Sequence, residues 1–298
     1  MLELYPVLNL EVDSPEVIEQ LGSKPKFWFR IEGDEQPWLF KFTRENSGED
    51  WSEKIASEIA NLLGIKAATV ELALFEGKRG CASKSFVRTT HGFDLIHGSE
   101  LLAGRVLGYD KDKRWHQSDH SIGNIITAIE NTFPTRRRIA ELRMLAGFIV
   151  LDAIICNTDR HHDNWALLRG PSAAGSTVRE IAPSFDHASS LGRELRDERR
   201  HVVQEQAGLM RYALRGRGGI YWSSNDERGE NPLLLAVKAS AKYPSYFRPW
   251  LQQVRELKAN CFDGIVDRIP PNWMSVEAKR FCLALMRETV EKLRAIPV

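Results

Sequence analysis

The sequence is poor in cysteine, has no excess of charge of either sign and contains no long apolar run. Each shortage closes off a class of protein. Only four cysteines occur in 298 residues: Cys81, Cys156, Cys261 and Cys282. They lie far apart among apolar neighbours and form no C-x-x-C pair, which argues against a disulfide framework or a thiolate zinc cluster. They read as reduced, mostly buried thiols of a cytoplasmic protein. Basic residues number 41 against 40 acidic, a formal +1, so a chain devoted to coating nucleic acid is excluded and no direct nucleic-acid binding is expected. The most apolar stretch, Met144 to Cys156, is interrupted by Asp152 and is too short to span a bilayer. The opening MLELYPVLNLEVD carries acids and no basic segment, so neither a signal peptide nor a membrane partner is expected. No G-x-x-x-x-G-K-[ST] run occurs, which rules out a P-loop NTPase, and there is no internal repeat.

What is present is globular in composition, 43% apolar and 27% charged, and long enough to bury a large core without staples. At roughly twice the ~150-residue prior for one domain, the chain is expected to form two lobes. Residues 1–90 read mainly as strands. Ser14-Pro15 is a helix-start signal for a short helix ending near Gly22. The aromatic runs Lys26–Ile31 and Trp38–Thr43 flank a turn and predict a hairpin. Ser47-Gly48-Glu49-Asp50 then opens a helix with Trp51, Ile55, Ile59 and Leu63 at helical spacing, closed by Gly64. Ala68–Phe75 and Cys81–Val87 predict a second hairpin around residues 76–80. Residues 91–298 turn helical, most clearly from Ile139 to Ala153, where Arg136-Arg137-Arg138 reads as the helix start, and from Ser275 to Ile296. The fold class expected is α+β, a small strand-rich N-lobe (1–90) on a larger helical C-lobe (91–298).

The densest polar cluster, Asn157-Thr158-Asp159-Arg160-His161-His162-Asp163-Asn164, lies between the helix ending at Cys156 and a strand-like run at Trp165–Leu168. A metal site of His161, His162 and Asp163 is disfavoured, because adjacent histidines diverge and no H-x-x-x-H spacing supports them. A polar helix–strand turn is the bland reading. The third is D-x-x-x-x-N, Asp159 and Asn164, the pattern in which a kinase Asp takes the substrate hydroxyl proton and an Asn holds Mg²⁺. Alone this pattern is weak, but the remaining parts occur in order. Asp186 follows Phe185 as a second metal acid. Lys41 projects from the second aromatic run toward phosphate. Glu53, preferred to Glu58, lies on the next helix to tie that lysine. Leu21–Lys26 is a glycine-poor phosphate turn. Phosphoryl transfer needs charge neutralisation and in-line positioning, which these groups supply.

Together the run Asn157, Asp159, His161, Asn164 and the segment Pro183-Ser184-Phe185-Asp186 resemble the catalytic loop and metal segment of HipA-like serine/threonine kinases. Gly22-Ser23-Lys24-Pro25-Lys26 is similar to that family's phosphate loop, and Glu53 stands where the family places its helix acid. The resemblance spans about residues 20–190 and is to a compact form without the extra N-terminal subdomain. It implies a protein-kinase-like fold with ATP between the lobes. Gly22, Ser23, Lys24, Lys26, Lys41 and Glu53 would serve the phosphates, and the adenine would lie near Phe86 and Val87. Asp159 would be the catalytic base, supported by His161, with Mg²⁺ on Asn164 and Asp186. It further implies autophosphorylation, with Ser23 a candidate, a protein substrate such as an aminoacyl-tRNA synthetase, and a DNA-binding antitoxin partner. Phosphoinositide and aminoglycoside kinases share parts of the loop, and an idle kinase fold acting as a binding module is a further alternative. The arginine-rich stretch Arg193–Arg217 is read as a salt-bridged helix face in preference to a docking surface, and Gly216–Gly219 as a flexible turn.

Overall fold

The computed structural model describes residues 2–11, 17–19, 25–113, 115–172 and 175–297. Strands β1 (Val7–Leu10), β2 (Val17–Glu19), β3 (Lys26–Phe29) and β4 (Trp38–Phe42) precede helix α1 (Glu49–Leu62), and β5 (Val70–Phe75) and β6 (Lys78–Lys84) follow it. These six strands form one sheet in the order β1-β5-β6-β4-β3-β2. Its framework is the aromatic hairpin, with Phe27 opposite Phe40 and Lys26 opposite Lys41. Side chains alternate across a strand. Phe27, Phe29, Trp38 and Phe40 therefore fill one face with Ala73 and Ala82. Lys41, between Phe40 and Phe42, takes the other face, where its cross-strand neighbour is Cys81.

Two local expectations are corrected here. Val17–Glu19 is a strand, not the expected helix, and pairs antiparallel with β3 (Val17 opposite Trp28). The successive β-branched Val17 and Ile18 suit a strand, and their pairing covers the edge that β3 would leave open. Ser14 and Pro15 lie outside the described residues, as do Gly22, Ser23 and Lys24. The second hairpin turns on two residues, not five. Glu76 and Gly77 both have positive φ, 49° and 73°, the geometry of a tight two-residue hairpin, so β6 begins at Lys78.

Helix α1 is amphipathic as its spacing predicts, burying Trp51, Ile55, Ile59 and Ala60. Gly48 is its N-cap, and Glu49 and Asp50 in the first turn are paired instead with Arg193 and Arg79. Beyond the sheet, β7 (Asp94–His97) leads to α2 (Gly98–Ala103), α3 (Ile122–Thr132) and the 21-residue α4 (Thr135–Ile155). Strands β8 (Ala166–Pro171) and β9 (Thr177–Ile181) join β7 in a three-stranded sheet of order β7-β8-β9. Then come α5 (Asp197–Glu205), α6 (Leu209–Arg215), α7 (Pro232–Lys242), α8 (Pro244–Glu256), α9 (Asp263–Val266) and α10 (Val276–Arg294). Ser275 caps α10 by accepting from the Ala278 N–H at 3.1 Å. One continuous apolar core joins α1 to α4 and the C-terminal helices, so the sheet and the helical body share a common interior. Among the described residues no helix is long and apolar enough to cross a membrane.

Candidate active site

Helix α4 ends at Cys156, whose φ of 55° is left-handed and turns the chain sharply into residues 157–165. A buried ion pair fixes this loop. Asp152, in the last turn of α4, accepts from Arg160 Nε and Nη2, each at 2.8 Å, and from Asn157 Nδ2 at 2.8 Å. The guanidinium then donates Nη1 to the carbonyls of Asn164 at 2.8 Å and Phe185 at 3.4 Å. A single side chain thus binds the helix, the far end of the loop and the segment carrying Asp186. An ion pair this deep needs a full set of hydrogen bonds to offset its desolvation, and this one has them.

Within that frame Asp159 directs its carboxylate outward, about one-third exposed. Its Oδ2 accepts from Ser189 Oγ at 3.4 Å and its carbonyl accepts from Asn164 Nδ2 at 2.6 Å. Asn164 is buried, and with its amide nitrogen so committed its Oδ1 is the remaining ligand atom. His161 lies beside Asp159, Nε2 to Oδ1 4.0 Å, and its Nδ1 accepts the Asp163 N–H at 3.2 Å. Among the described residues no three His, Cys, Asp or Glu side chains are grouped to hold a metal, so His161, His162 and Asp163 form no such site. His162 is instead bonded through Nδ1 to the Tyr109 hydroxyl at 2.7 Å.

Asp186 arrives from the other side. The Ser184 N–H donates to the Lys66 carbonyl and the Ala68 N–H to the Ser184 carbonyl, both at 2.8 Å, which pins the Pro183–Asp186 segment behind α1. Asp186 has a left-handed φ of 58°, an unfavourable backbone for a residue with a Cβ and a conformation that concentrates at functional sites. Its Oδ1 meets Lys41 Nζ at 3.1 Å. Burial works to lower the Lys41 pKa, but the carboxylates of Asp186 and Glu53 outweigh it and hold the ammonium above its ordinary value.

Glu53 is buried and reaches His187 Nδ1 at 3.4 Å. Burial works to raise its pKa, yet the adjacent His187 imidazole and the Lys41 charge hold the carboxyl below its ordinary value. Glu58 is engaged elsewhere, 2.7 Å from Lys54 Nζ. The acid in short contact with Lys41 is thus Asp186, while Glu53 acts on the lysine by charge and is itself held by His187. Lys26 stands directly across the hairpin from Lys41. Phe86 and Val87, just past β6, pack with Phe185, Leu168 and Ala182 as an apolar floor, the Phe86 and Phe185 rings 5.6 Å apart.

The family description HipA-like C-terminal domain matches residues 20–226, more than half the chain. The chain belongs to this HipA-like family. The HipA-like chain is also 31% identical over 145 residues to the serine/threonine-protein kinase CtkA of Helicobacter pylori, covering 47% of this chain and 40% of that protein. It thus spans well under half the length of that curated relative. The crystal structure of a proinflammatory kinase CtkA from Helicobacter pylori superposes with a TM-score of 0.76 at 22% identity, over 97% of each chain. At that identity the fold is what is shared, and it is protein-kinase-like, as the α+β reading requires. HipA from a Shewanella oneidensis MR-1 toxin–antitoxin complex aligns over 99% of this chain and 70% of its own at 13% identity, with a TM-score of only 0.38.

Sequence reasoning missed four members of this HipA-like site. Arg160 and Asp152 were legible in principle, because a lone acid in a buried helix demands a partner. His187, next to Asp186, bonds Ser184 Oγ through Nε2 at 2.6 Å, and no spacing rule points to it. Gly219 is not part of a free turn. A Cβ there would stand 2.6 Å from the His161 nitrogen and 2.7 Å from the Arg160 carbonyl carbon, so only glycine lets this strand of chain lie on the loop.

Proposed function

We propose that this chain is an ATP- and Mg²⁺-dependent serine/threonine protein kinase. The observation that carries the reading is the convergence of Lys41 and Asp186, from opposite lobes, beside an Asp159–Asn164 loop clamped by Arg160. The donor set fits the metal. Asn164 Oδ1 and the Asp186 carboxylate are hard oxygen ligands, and Mg²⁺ is usually held by one or two carboxylates with the substrate phosphates completing its shell. Bound ATP·Mg²⁺ would supply the γ-phosphoryl group and neutralise its charge.

The chain's own residues do the rest. Lys41, kept charged by Asp186 and Glu53, orients the α- and β-phosphates. Lys26 adds a donor beside them, the family resemblance assigns Gly22, Ser23 and Lys24 to the same phosphates, and Phe86 and Val87 provide the apolar face for adenine. Asp159 is exposed enough to receive a seryl or threonyl hydroxyl proton, and Asn164 and Ser189 hold it in place. His161, beside it, supports the loop. Membership of the HipA-like family supports a bacterial protein acceptor, with an aminoacyl-tRNA synthetase as the candidate, a DNA-binding antitoxin partner, a cytoplasmic setting and autophosphorylation, for which Ser23 is the candidate position. Calorimetric titration with ATP tests the cleft. Binding that requires Mg²⁺ in the wild type and weakens at least about tenfold in Lys41→Met and Asp186→Asn is expected. Binding indifferent to both substitutions would sink the assignment.

A further inference from the structure

A cavity of about 570 Å³ lies apart from the cleft between the lobes. None of Lys41, Asp186, Phe86 or Val87 lines it. It opens beneath the catalytic loop, between the α5–α6 segment and Thr158 and Ser189, the latter bonded to the Asp159 carboxylate. Five arginines border it: Arg193, Arg199, Arg211, Arg215 and Arg217. Its one acid, Glu194, is already occupied by the Tyr212 hydroxyl at 2.8 Å.

This is not the self-neutralised helix face that the sequence suggests. Arg193 is tied to Glu49 and to Ser189 Oγ, and Arg217 stands 4.0 Å from Glu230. Arg199, Arg211 and Arg215 have no ion pair or side-chain hydrogen bond among the described residues. Three unneutralised guanidiniums around one concavity repel one another, an arrangement that an anionic guest relieves. Below the rim the floor is apolar, with Val203 and Ala213 buried in it.

We propose that this cavity docks an acidic segment of the protein substrate, placing carboxylate or phosphorylated side chains on Arg199, Arg211 and Arg215 while the acceptor hydroxyl lies at Asp159. The proposal rests on the kinase reading for its role and names that site's substrate class. A second cavity of about 400 Å³ has Asp159 and His161 in its wall and shares Thr158 and Arg217 with the first. The two form a trough past the reactive carboxylate, a shape suited to an extended polypeptide. In the arginine-bordered cavity itself single-stranded nucleic acid fits poorly, because stacking needs exposed aromatic platforms. The first cavity's one aromatic, Tyr212, is packed edge-on against Phe281 at 5.3 Å. Arginine forks bind carboxylates and phosphates in the same bidentate manner, so both forms of acidic side chain are accommodated.

The test is fluorescence anisotropy with labelled peptides carrying a central serine flanked by Glu, by phosphoserine, by Gln or by Lys. Without ATP the full-length protein is expected to bind the Glu and phosphoserine peptides at least about tenfold tighter than the Gln peptide, an advantage that shrinks with added salt. Relative strength of the two acidic peptides identifies the source of the charge. Arg211→Glu/Arg215→Glu, at exposed positions, is expected to abolish that preference and gain affinity for the Lys peptide, and Arg211→Gln/Arg215→Gln to abolish it without the gain. Equal binding of Glu, phosphoserine and Gln peptides, preferences untouched by both variants, or tighter binding of an oligouridylate competitor would overturn the proposal. Acidic-peptide binding without ATP turnover would retain the docking surface and remove the kinase reading. Turnover with equal kcat/KM on Glu and Gln peptides would do the reverse.

Discussion

Replacing Asp152 by leucine would strand the Arg160 guanidinium, 3% exposed, without its counter-ion. Breaking a buried ion pair from one side costs about 3–5 kcal/mol, because the remaining charge stays desolvated. Removing both charges in Asp152→Leu/Arg160→Met avoids that penalty. What remains is the loss of the Arg160 bonds to the Asn164 and Phe185 carbonyls and of the Asn157 bond to Asp152, at about 1 kcal/mol each. The double variant is therefore expected to lie within about 3 kcal/mol of wild type, more stable than the single variant, which loses the Asn157 bond as well as its counter-ion. Function runs the other way. Both variants lose the clamp that sets Asn164 against the Asp186 segment, so phosphotransfer falls in the double variant despite its recovered stability. Urea denaturation followed by far-UV circular dichroism, with phosphotransfer rates on the same samples, measures both. A single variant costing under about 1 kcal/mol, or a double variant no more stable than the single, would refute the reasoning.

Three further outcomes are expected. His120 is buried with Nδ1–H donating to the Gly219 carbonyl at 2.7 Å and Nε2 accepting from Trp165 Nε1–H at 3.0 Å, and burial first of all drives its pKa down from 6.5 to about 3. Its folded pKa is depressed, so its contribution is complete above about pH 6.5 and lost as pH falls toward 3, about 2 kcal/mol by pH 5. Urea midpoints at pH 7.5 and 5.0 should show a flatter acid limb for His120→Gln, and an unchanged limb would count against this tautomer. Glu53→Gln should raise the KM for ATP about tenfold or more by removing a charge from beside Lys41, while Glu58→Gln should stay within about twofold; the reverse order would reassign the helix acid. Gly219→Ala would force backbone against backbone at the catalytic loop, so a loss of about 1–3 kcal/mol with reduced kcat is expected, and a silent substitution would show that the approach is not tight.

The sequence made legible what depends on local periodicity and on chemistry carried by spacing. Alternating aromatics in β3 and β4 disclosed the hairpin that aims Lys41, helical spacing disclosed α1 with Glu53, and Ser275 marked the start of α10 where its hydroxyl caps the helix. The D-x-x-x-x-N run, with Asp186 downstream and Lys41 upstream, was sufficient to reach the family and the fold. Features set by tertiary contact were not legible. Val17–Glu19 is a strand because β3 offers it an edge, which a helix-start signal cannot register. The Lys41–Asp186 contact and the Glu53–His187 pairing depend on how two lobes close around α1. The arginines between Arg193 and Arg217 look neutralised in sequence, since acids alternate with them. In space, Asp197 turns to Arg200 and Glu194 to Tyr212, leaving the cavity rim basic.

The most direct test of the central claim, that this cleft transfers the γ-phosphoryl group of ATP to a seryl or threonyl hydroxyl through Asp159, is mass spectrometry after incubation with ATP and Mg²⁺. Wild type and Asp159→Ala are compared alone and with a candidate protein acceptor, and phosphopeptides are mapped. A gain of about 80 Da per site on the protein or the acceptor, absent in Asp159→Ala, is the predicted result. An equal gain in both proteins, or Mg²⁺-dependent ATP binding with no transfer by either, would contradict it.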